Sequence, residues 1–338
     1  MTGGHKVYSG HEMKIFAGSS GGLFAQRICS YLQMSLGDSE AIKFSDGNTF
    51  VRVKENVRGT DVYLVQPIGL LPNDEFVEIL FWIDAFKRAS AHSVTVIIPY
   101  FGYAKGDKKD EPRVSIRARV CADAIETAGA DRIIMMDLHA PQIQGFFKKP
   151  VDHLIAMPLL CEYIKSQAIE NFVIVSPDAG FAKQARKFSS YLGVPTVIGD
   201  KRRIGHDESP ETLELIGDVS GKNAVIVDDF STSGGTLIQL AHLLKEKGAL
   251  SIFASLSHLL LSAEAVQRIE DSPIEYIVAT DSVANQAANA SPKIRIISAA
   301  PLFGEAIKRI HGRDSVSGLF DVLWWPHLSR QFFLISKL

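Results

Sequence analysis

The sequence predicts an α/β chain of two similar domains, each a mostly parallel sheet flanked by helices. Short apolar, β-branched runs alternate with longer segments of helical period. That alternation implies parallel sheets covered on both faces. A pattern also recurs about half a chain apart. DVYLVQP, a polar loop, a helix and VTVIIPYF are echoed by AVIVDDF, a polar loop, a helix and SIFASLSH.

In chain order, strands are expected at 14–17, 62–65, 94–98, 133–136, 172–175, 196–198, 224–227, 251–254 and 276–279. Between them, Phe76, Ile79, Leu80 and Ile83 share one helix face, as do Leu237, Leu240, Ala241 and Leu244. A length of 338 residues suits two domains with a boundary near 151–158. The expected division is 13–156, 157–304, and a C-terminal helix and apolar tail over 305–338. The aromatic tail DVLWWPHLSRQFFLISKL is assigned packing and no chemistry.

Composition narrows the function. The 36 Lys and Arg nearly balance 38 Asp and Glu, so no global charge invites nucleic acid and any polyanion must meet a local basic site. Cys29, Cys121 and Cys161 are widely spaced with no CxxC, which favours buried thiols over disulfides or thiolate metal sites. The N-terminus shows no apolar signal segment. The greasiest stretch, 252–266, contains His258 and Glu264 and is too short to span a bilayer. A cytoplasmic chain with no membrane partner is expected.

Sheets of this class bind ligands beyond the carboxyl ends of their strands, which directs attention to AVIVDDFSTSGGT at 224–236. An apolar strand runs into Asp228 and Asp229, then into a small, hydroxyl- and glycine-rich turn, with a helix starting near Thr236. Converging backbone N–H groups and a helix start suit a phosphate. Thr232, Ser233 and Thr236 add hydroxyls, and Gly234 and Gly235 permit close approach. The acids can accept hydrogen bonds from vicinal sugar hydroxyls or lie near Mg²⁺; capping of the helix is the plainer alternative. The GxxxxGK[ST] pattern of a Walker loop is absent.

This segment resembles the ribose-5-phosphate loop of class I phosphoribosyltransferases. The chain as a whole resembles the ribose-phosphate diphosphokinase (phosphoribosyl diphosphate synthetase) family. The similarity is carried in order by FSDG, VRGTDVYLVQP, IDAFKRASA, IPYFGYA, AGADRIIMMDLHAPQIQGFF, PVDHL, SPDAG, DKRR, IGDVSGK and SVSGLF. It implies two phosphoribosyltransferase-like domains and transfer of the diphosphoryl group of Mg-ATP to the C1 hydroxyl of ribose 5-phosphate, giving phosphoribosyl diphosphate and AMP. It also implies roles. Lys201 and Arg203 become the transition-state cations on a mobile lid. Phe44, Asp46, Asn48, Lys105 and Asp110 become nucleotide contacts, and His139 and Asp178 metal contacts. Asp178, Asp228, Asp229, Thr232, Ser233, Gly234, Gly235 and Thr236 become the sugar-phosphate site. Homo-oligomers built from dimers, a hexamer among them, are implied, with FSDG of one subunit completing a neighbour's nucleotide site.

The sequence departs from the family pattern at several positions. Asn48 stands where an acid is usual, Lys105-Gly106 where Arg-Gln is usual, Thr232 where an Asp is usual, Phe181 where a Gly is usual and Gln184 where an Arg is usual. These departures motivate an alternative, a catalytically weak or silent regulatory paralogue. Retention of Lys201, Arg203, His139, Asp178, Asp228 and Asp229 favours an active enzyme. A phosphoribosyltransferase that consumes phosphoribosyl diphosphate would explain the sugar loop but not FSDG or IPYFGYA.

Overall fold

The structure is a computed structural model that describes residues 11–202 and 212–320. Arg203, the stretch after it and the aromatic tail from Asp321 lie outside the described residues. The described chain divides into two compact units. Unit 1 takes 11–155, 282–284 and 299–320, and unit 2 takes 156–202, 212–281 and 285–298.

Unit 1 contains β1 (Met13–Ala17), α1 (Gly22–Leu32), the hairpin β2 (Ser39–Lys43) and β3 (Thr49–Val53), and β4 (Asp61–Val65). It continues with α2 (Pro72–Arg88), β5 (Ser93–Ile98), α3 (Arg117–Ala128), β6 (Arg132–Met136) and β7 (Val151–Leu154). Its sheet is parallel throughout, in the order β1-β4-β5-β6-β7. Unit 2 contains α4 (Met157–Ser166), β8 (Phe172–Ser176), α5 (Ala182–Leu192), the hairpin β9 (Thr196–Arg202) and β10 (Thr212–Ile216), β11 (Asn223–Ser231) and α6 (Gly235–Glu246). Then follow β12 (Ile252–Leu259), α7 (Ala263–Glu270), β13 (Ile274–Thr280), α8 (Gln286–Asn289) and β14 (Ile294–Ile297). Its order is β10-β9-β8-β11-β12-β13-β14, with only β10 antiparallel. The repeat read from the sequence is thus structural: β4 and β11 hold the same place in their sheets, each followed by a helix and a parallel neighbour. The final helix α9 (Ala300–His311) runs through position 304 and belongs to unit 1, where it packs on α1.

Helix α2 shows why the sequence folds this way. Pro72 sits in its first turn, where the missing N–H costs nothing, and Asp74 and Glu75 face the positive end of the dipole. Ile79, Trp82, Ile83 and Phe86 are completely buried against the strands, while Phe76 and Leu80 pack at the margin. Each such large apolar side chain stabilises the unit by about 1.5–3 kcal/mol. The corresponding stripe of α6, Leu237, Leu240, Ala241 and Leu244, is likewise buried. All three cysteines are buried thiols, and burial pushes Cys29 up to about 11 and Cys121 up to about 12. Among the described residues no helix is long and apolar enough to cross a membrane.

The two units treat their first strand-to-helix turn differently. In unit 1 the Gly-Ser-rich turn between β1 and α1 is filled from within. Glu78 accepts the Ser19 N–H at 2.8 Å, the Ser19 hydroxyl and the Trp82 indole N–H at 2.9 Å, and Gln66 accepts the Ser20 N–H at 3.2 Å. In unit 2 the matching turn, 177–181 between β8 and α5, places Asp178, Ala179 and Gly180 at the surface.

Candidate active site

The paired acids of unit 2 lie where the sheet opens. Strand β11 pairs with β8 only as far as Ile226–Val175, yet continues beside β12 to Ser231–Leu259. Asp228 and Asp229 therefore occupy a strand end held rigidly on one side and open on the other. Asp229 N–H donates to Asp228 Oδ1 at 2.9 Å and Phe230 N–H to Asp229 Oδ1 at 2.8 Å, which fixes both carboxyl groups.

Burial, and then the adjoining Asp229 charge, push the Asp228 carboxyl far above the ordinary carboxylate range, with Asp178 adding to the crowding. Ionising both carboxyls of the pair is therefore costly. Between the ordinary 3.8 and about 8 the folded chain holds a proton that the unfolded chain has lost, so this group makes stability fall as pH rises through that window. Asp228→Asn cannot ionise, and thermal midpoints measured from pH 5 to 8 are expected to fall less steeply than in the unsubstituted protein. Parallel profiles for the two proteins would contradict the assignment.

After the acids the chain turns over Ser231–Gly235. Gly234 has φ +70°, a left-handed conformation that favours glycine, and an added β-carbon would come within 3.1 Å of Ile269 Cδ1. Its N–H donates to Ser231 Oγ at 3.1 Å, and Gly235 N–H donates to Ser233 Oγ at 3.3 Å. Gly234 is the N-cap of α6 and provides no side-chain cap, leaving the helix start suited to an anion. Helix α7 braces the turn: an Arg268 guanidinium nitrogen donates to the Ser233 carbonyl at 2.8 Å. Thr232 and Ser233 are exposed at the tip.

The neighbouring 177–181 turn brings a third carboxylate to the same sheet edge. Asp178 Oδ1 accepts the Phe181 N–H at 2.9 Å, and the Ser176 hydroxyl donates to the Asp178 carbonyl at 2.8 Å. Phe181 has φ −88°, ordinary helical backbone, so this position does not require glycine for conformation. Unit 2 thus gathers Asp178, Asp228, Asp229 and 232–236. Lys201 falls at the end of β9, in register with Leu213.

In unit 1 the expected nucleotide contacts stand on two kinds of element. Phe44, Asp46 and Asn48 form the β2–β3 turn, where Gly47 has φ +88° and Asp46 Oδ1 accepts the Asn48 N–H at 2.9 Å. Phe44 is 49% exposed, an unusual position for a phenyl ring. Lys105 and Asp110 follow β5, and His139 follows β6; all three are exposed. β5 and β6 are adjacent, and Gln142 Nε2 donates to Asp107 Oδ2 at 3.3 Å, joining their loops. Arg268 and Gln142 were not marked by sequence reasoning. Each acts through a contact between distant segments that no local spacing announces.

An opened parallel strand end carrying paired acids, then a glycine turn into a helix start without a side-chain N-cap, is an α/β arrangement suited to a phosphate ester. Comparison makes this specific. The model described as the N-terminal domain of ribose phosphate pyrophosphokinase matches 13–129, and the phosphoribosyl synthetase-associated domain matches 203–321. A ribose-phosphate pyrophosphokinase of Chlorobaculum tepidum is 46% identical over 310 residues, covering 91% of this chain and 95% of that protein. The one from Bacillus caldolyticus is 41% identical, covering 92% and 98%. The crystal structure of phosphoribosylpyrophosphate synthetase from Mycobacterium smegmatis superposes with TM-score 0.85 at 36% identity, covering 89% of this chain and 99% of that one. The chain belongs to the ribose-phosphate pyrophosphokinase family and is an enzyme, a diphosphotransferase with the phosphoribosyltransferase-like fold.

Proposed function

We propose that the chain transfers the diphosphoryl group of Mg-ATP to the C1 hydroxyl of ribose 5-phosphate, with unit 2 holding the sugar ester and unit 1 contributing the nucleotide contacts. The observation that carries this reading is the fixed acid pair leading into the uncapped start of α6. The 5-phosphate is received by the 232–236 turn and its N–H groups, and Arg268 holds that turn in shape. Asp228 and Asp229 accept the ribose hydroxyls. The C1 oxygen then attacks the β-phosphorus in line, the bond to the α–β bridging oxygen breaks, AMP leaves, and the C1 proton passes to solvent. Lys201 and Arg203 offset the charge that builds on the β-phosphoryl oxygens.

The donor set suits Mg²⁺. Asp178 offers a hard oxygen ligand, and a cation beside it would relieve its crowding against Asp228. Among the described residues no three His, Cys, Asp or Glu side chains are arranged to hold a metal, which fits an ion whose shell is completed by water and substrate phosphates. Within unit 2 Asp178 would hold the ion, which would neutralise phosphoryl charge; within unit 1 His139 is the residue read as a metal or phosphate contact. Phe44 offers a stacking face for adenine, with Asp46 and Asn48 at its edge, and Lys105 and Asp110 serve the donor from the loop after β5. The exposed hairpin suits a homo-oligomer, built from dimers and extending to a hexamer, in which it serves a neighbouring subunit, and the family reading suits a cytoplasmic location.

The test is an assay of purified protein with ribose 5-phosphate, Mg²⁺ and ATP, following AMP by chromatography and phosphoribosyl diphosphate by ³¹P NMR. Both products should appear in equal amounts. Silence in folded protein with every nucleoside triphosphate would replace this reading with that of a regulatory subunit.

A further inference from the structure

Gly106 closes the short 3₁₀ turn Ala104–Gly106 after β5 and is buried. Its backbone is not in the left-handed region, so conformation does not demand glycine there. Space does. A β-carbon on Gly106 would lie 2.7 Å from Arg117 Nε and 2.8 Å from Arg117 Cβ. The Nε could swing aside, but the Cβ is fixed to the first residue of α3 and cannot. The stem of Arg117 therefore fills the volume that a side chain at 106 would use, while the residue as a whole remains exposed. Its charge reaches the same turn at Tyr103, where burial raises the phenol and Arg117 pulls against that rise.

Lys105 and Gly106 were noted above as departures from an Arg-Gln pair. The contact ties Gly106 to Arg117: position 106 carries no side chain, and the arginine from α3 occupies the place one would take. Around it, Lys105, Lys108, Lys109 and Arg113 are exposed on the same segment. The lysines offer point charges, whereas a guanidinium gives a planar fork that grips two phosphate oxygens at once.

The geometry points to Arg117 as a donor-binding residue that supplies, from the start of α3 across Gly106, the bidentate contact to the polyphosphate of the nucleoside triphosphate. This rests on the reaction proposed above and adds a residue and a steric pairing to it.

Steady-state kinetics on the full chain test it, with ATP and ribose 5-phosphate varied separately for Arg117→Ala, Arg117→Lys, Gly106→Gln and the double variant Gly106→Gln/Arg117→Ala. Removing a charge-assisted phosphate contact is expected to raise the KM for ATP about tenfold or more. The KM for ribose 5-phosphate should stay within about twofold and the thermal midpoint should hold, because the side chain is exposed. Arg117→Lys should recover part of the ATP affinity. Gly106→Gln alone should lower the thermal midpoint by forcing the two residues together, and the double variant should stay low, because alanine keeps the β-carbon that meets position 106. An unchanged KM for ATP in Arg117→Ala, or an equal rise in both KM values with a lower midpoint, would overturn the assignment. Absence of turnover in the unsubstituted chain would instead overturn the reaction on which it rests.

Discussion

Lys201→Ala is expected to lower turnover by roughly 10²–10³-fold while leaving the KM for ribose 5-phosphate within about twofold. Diphosphoryl transfer asks little covalent chemistry of the protein, so the rate depends on alignment and on charge placed where it develops. A cation that acts only as the β-phosphoryl oxygens gain charge contributes to the transition state and not to sugar binding, and its loss lowers kcat and kcat/KM together. Lys201 is the penultimate residue of β9, which β10 pairs along Thr212–Ile216. Thermal midpoints of the variant should match the parent. Turnover retained within tenfold would remove Lys201 from the chemistry.

Asp229→Ala should act on binding. A carboxylate that accepts hydrogen bonds from vicinal hydroxyls contributes about 1.5–3 kcal/mol, or roughly 10–100-fold in the KM for ribose 5-phosphate. The same substitution removes the neighbour whose charge helps to raise Asp228. The Asp228 carboxyl should then ionise at lower pH, and the activity profile should extend further to the acid side. An unchanged sugar KM with depressed kcat would show that the pair serves the reacting phosphorus instead. Asp229→Asn preserves the hydrogen bond donated by Phe230 while removing charge, and so separates shape from electrostatics.

Much of the fold could be read directly because its strands are continuous β-branched runs. Val62, Val94, Ile133, Val173 and Ala224 are all wholly buried, and burial on both faces leaves a strong compositional signal. The β2–β3 hairpin escaped notice because it is a separate two-stranded sheet in which Ile42 is exposed, as is Phe44 in its turn, and charge alternates with apolar residues. The sugar loop was legible because acids, hydroxyls and glycines are adjacent in sequence. Arg268 and Gln142 were not, since each depends on a contact between segments 35 residues apart, and Arg117 was not, since it meets Gly106 across a turn that no periodic spacing announces. Phe181 stands where the family pattern has a glycine, and its ordinary helical backbone angles show that conformation alone does not require glycine there.

Glu78 closes the β1–α1 turn from within. Its carboxylate takes up the Ser19 N–H and the Trp82 indole N–H, so that turn is spoken for by the chain itself. The counterpart after β8 has no such plug and presents Asp178, Ala179 and Gly180 outward. Two strands in the same sheet position thus end differently, one in a sealed joint and the other in an open one.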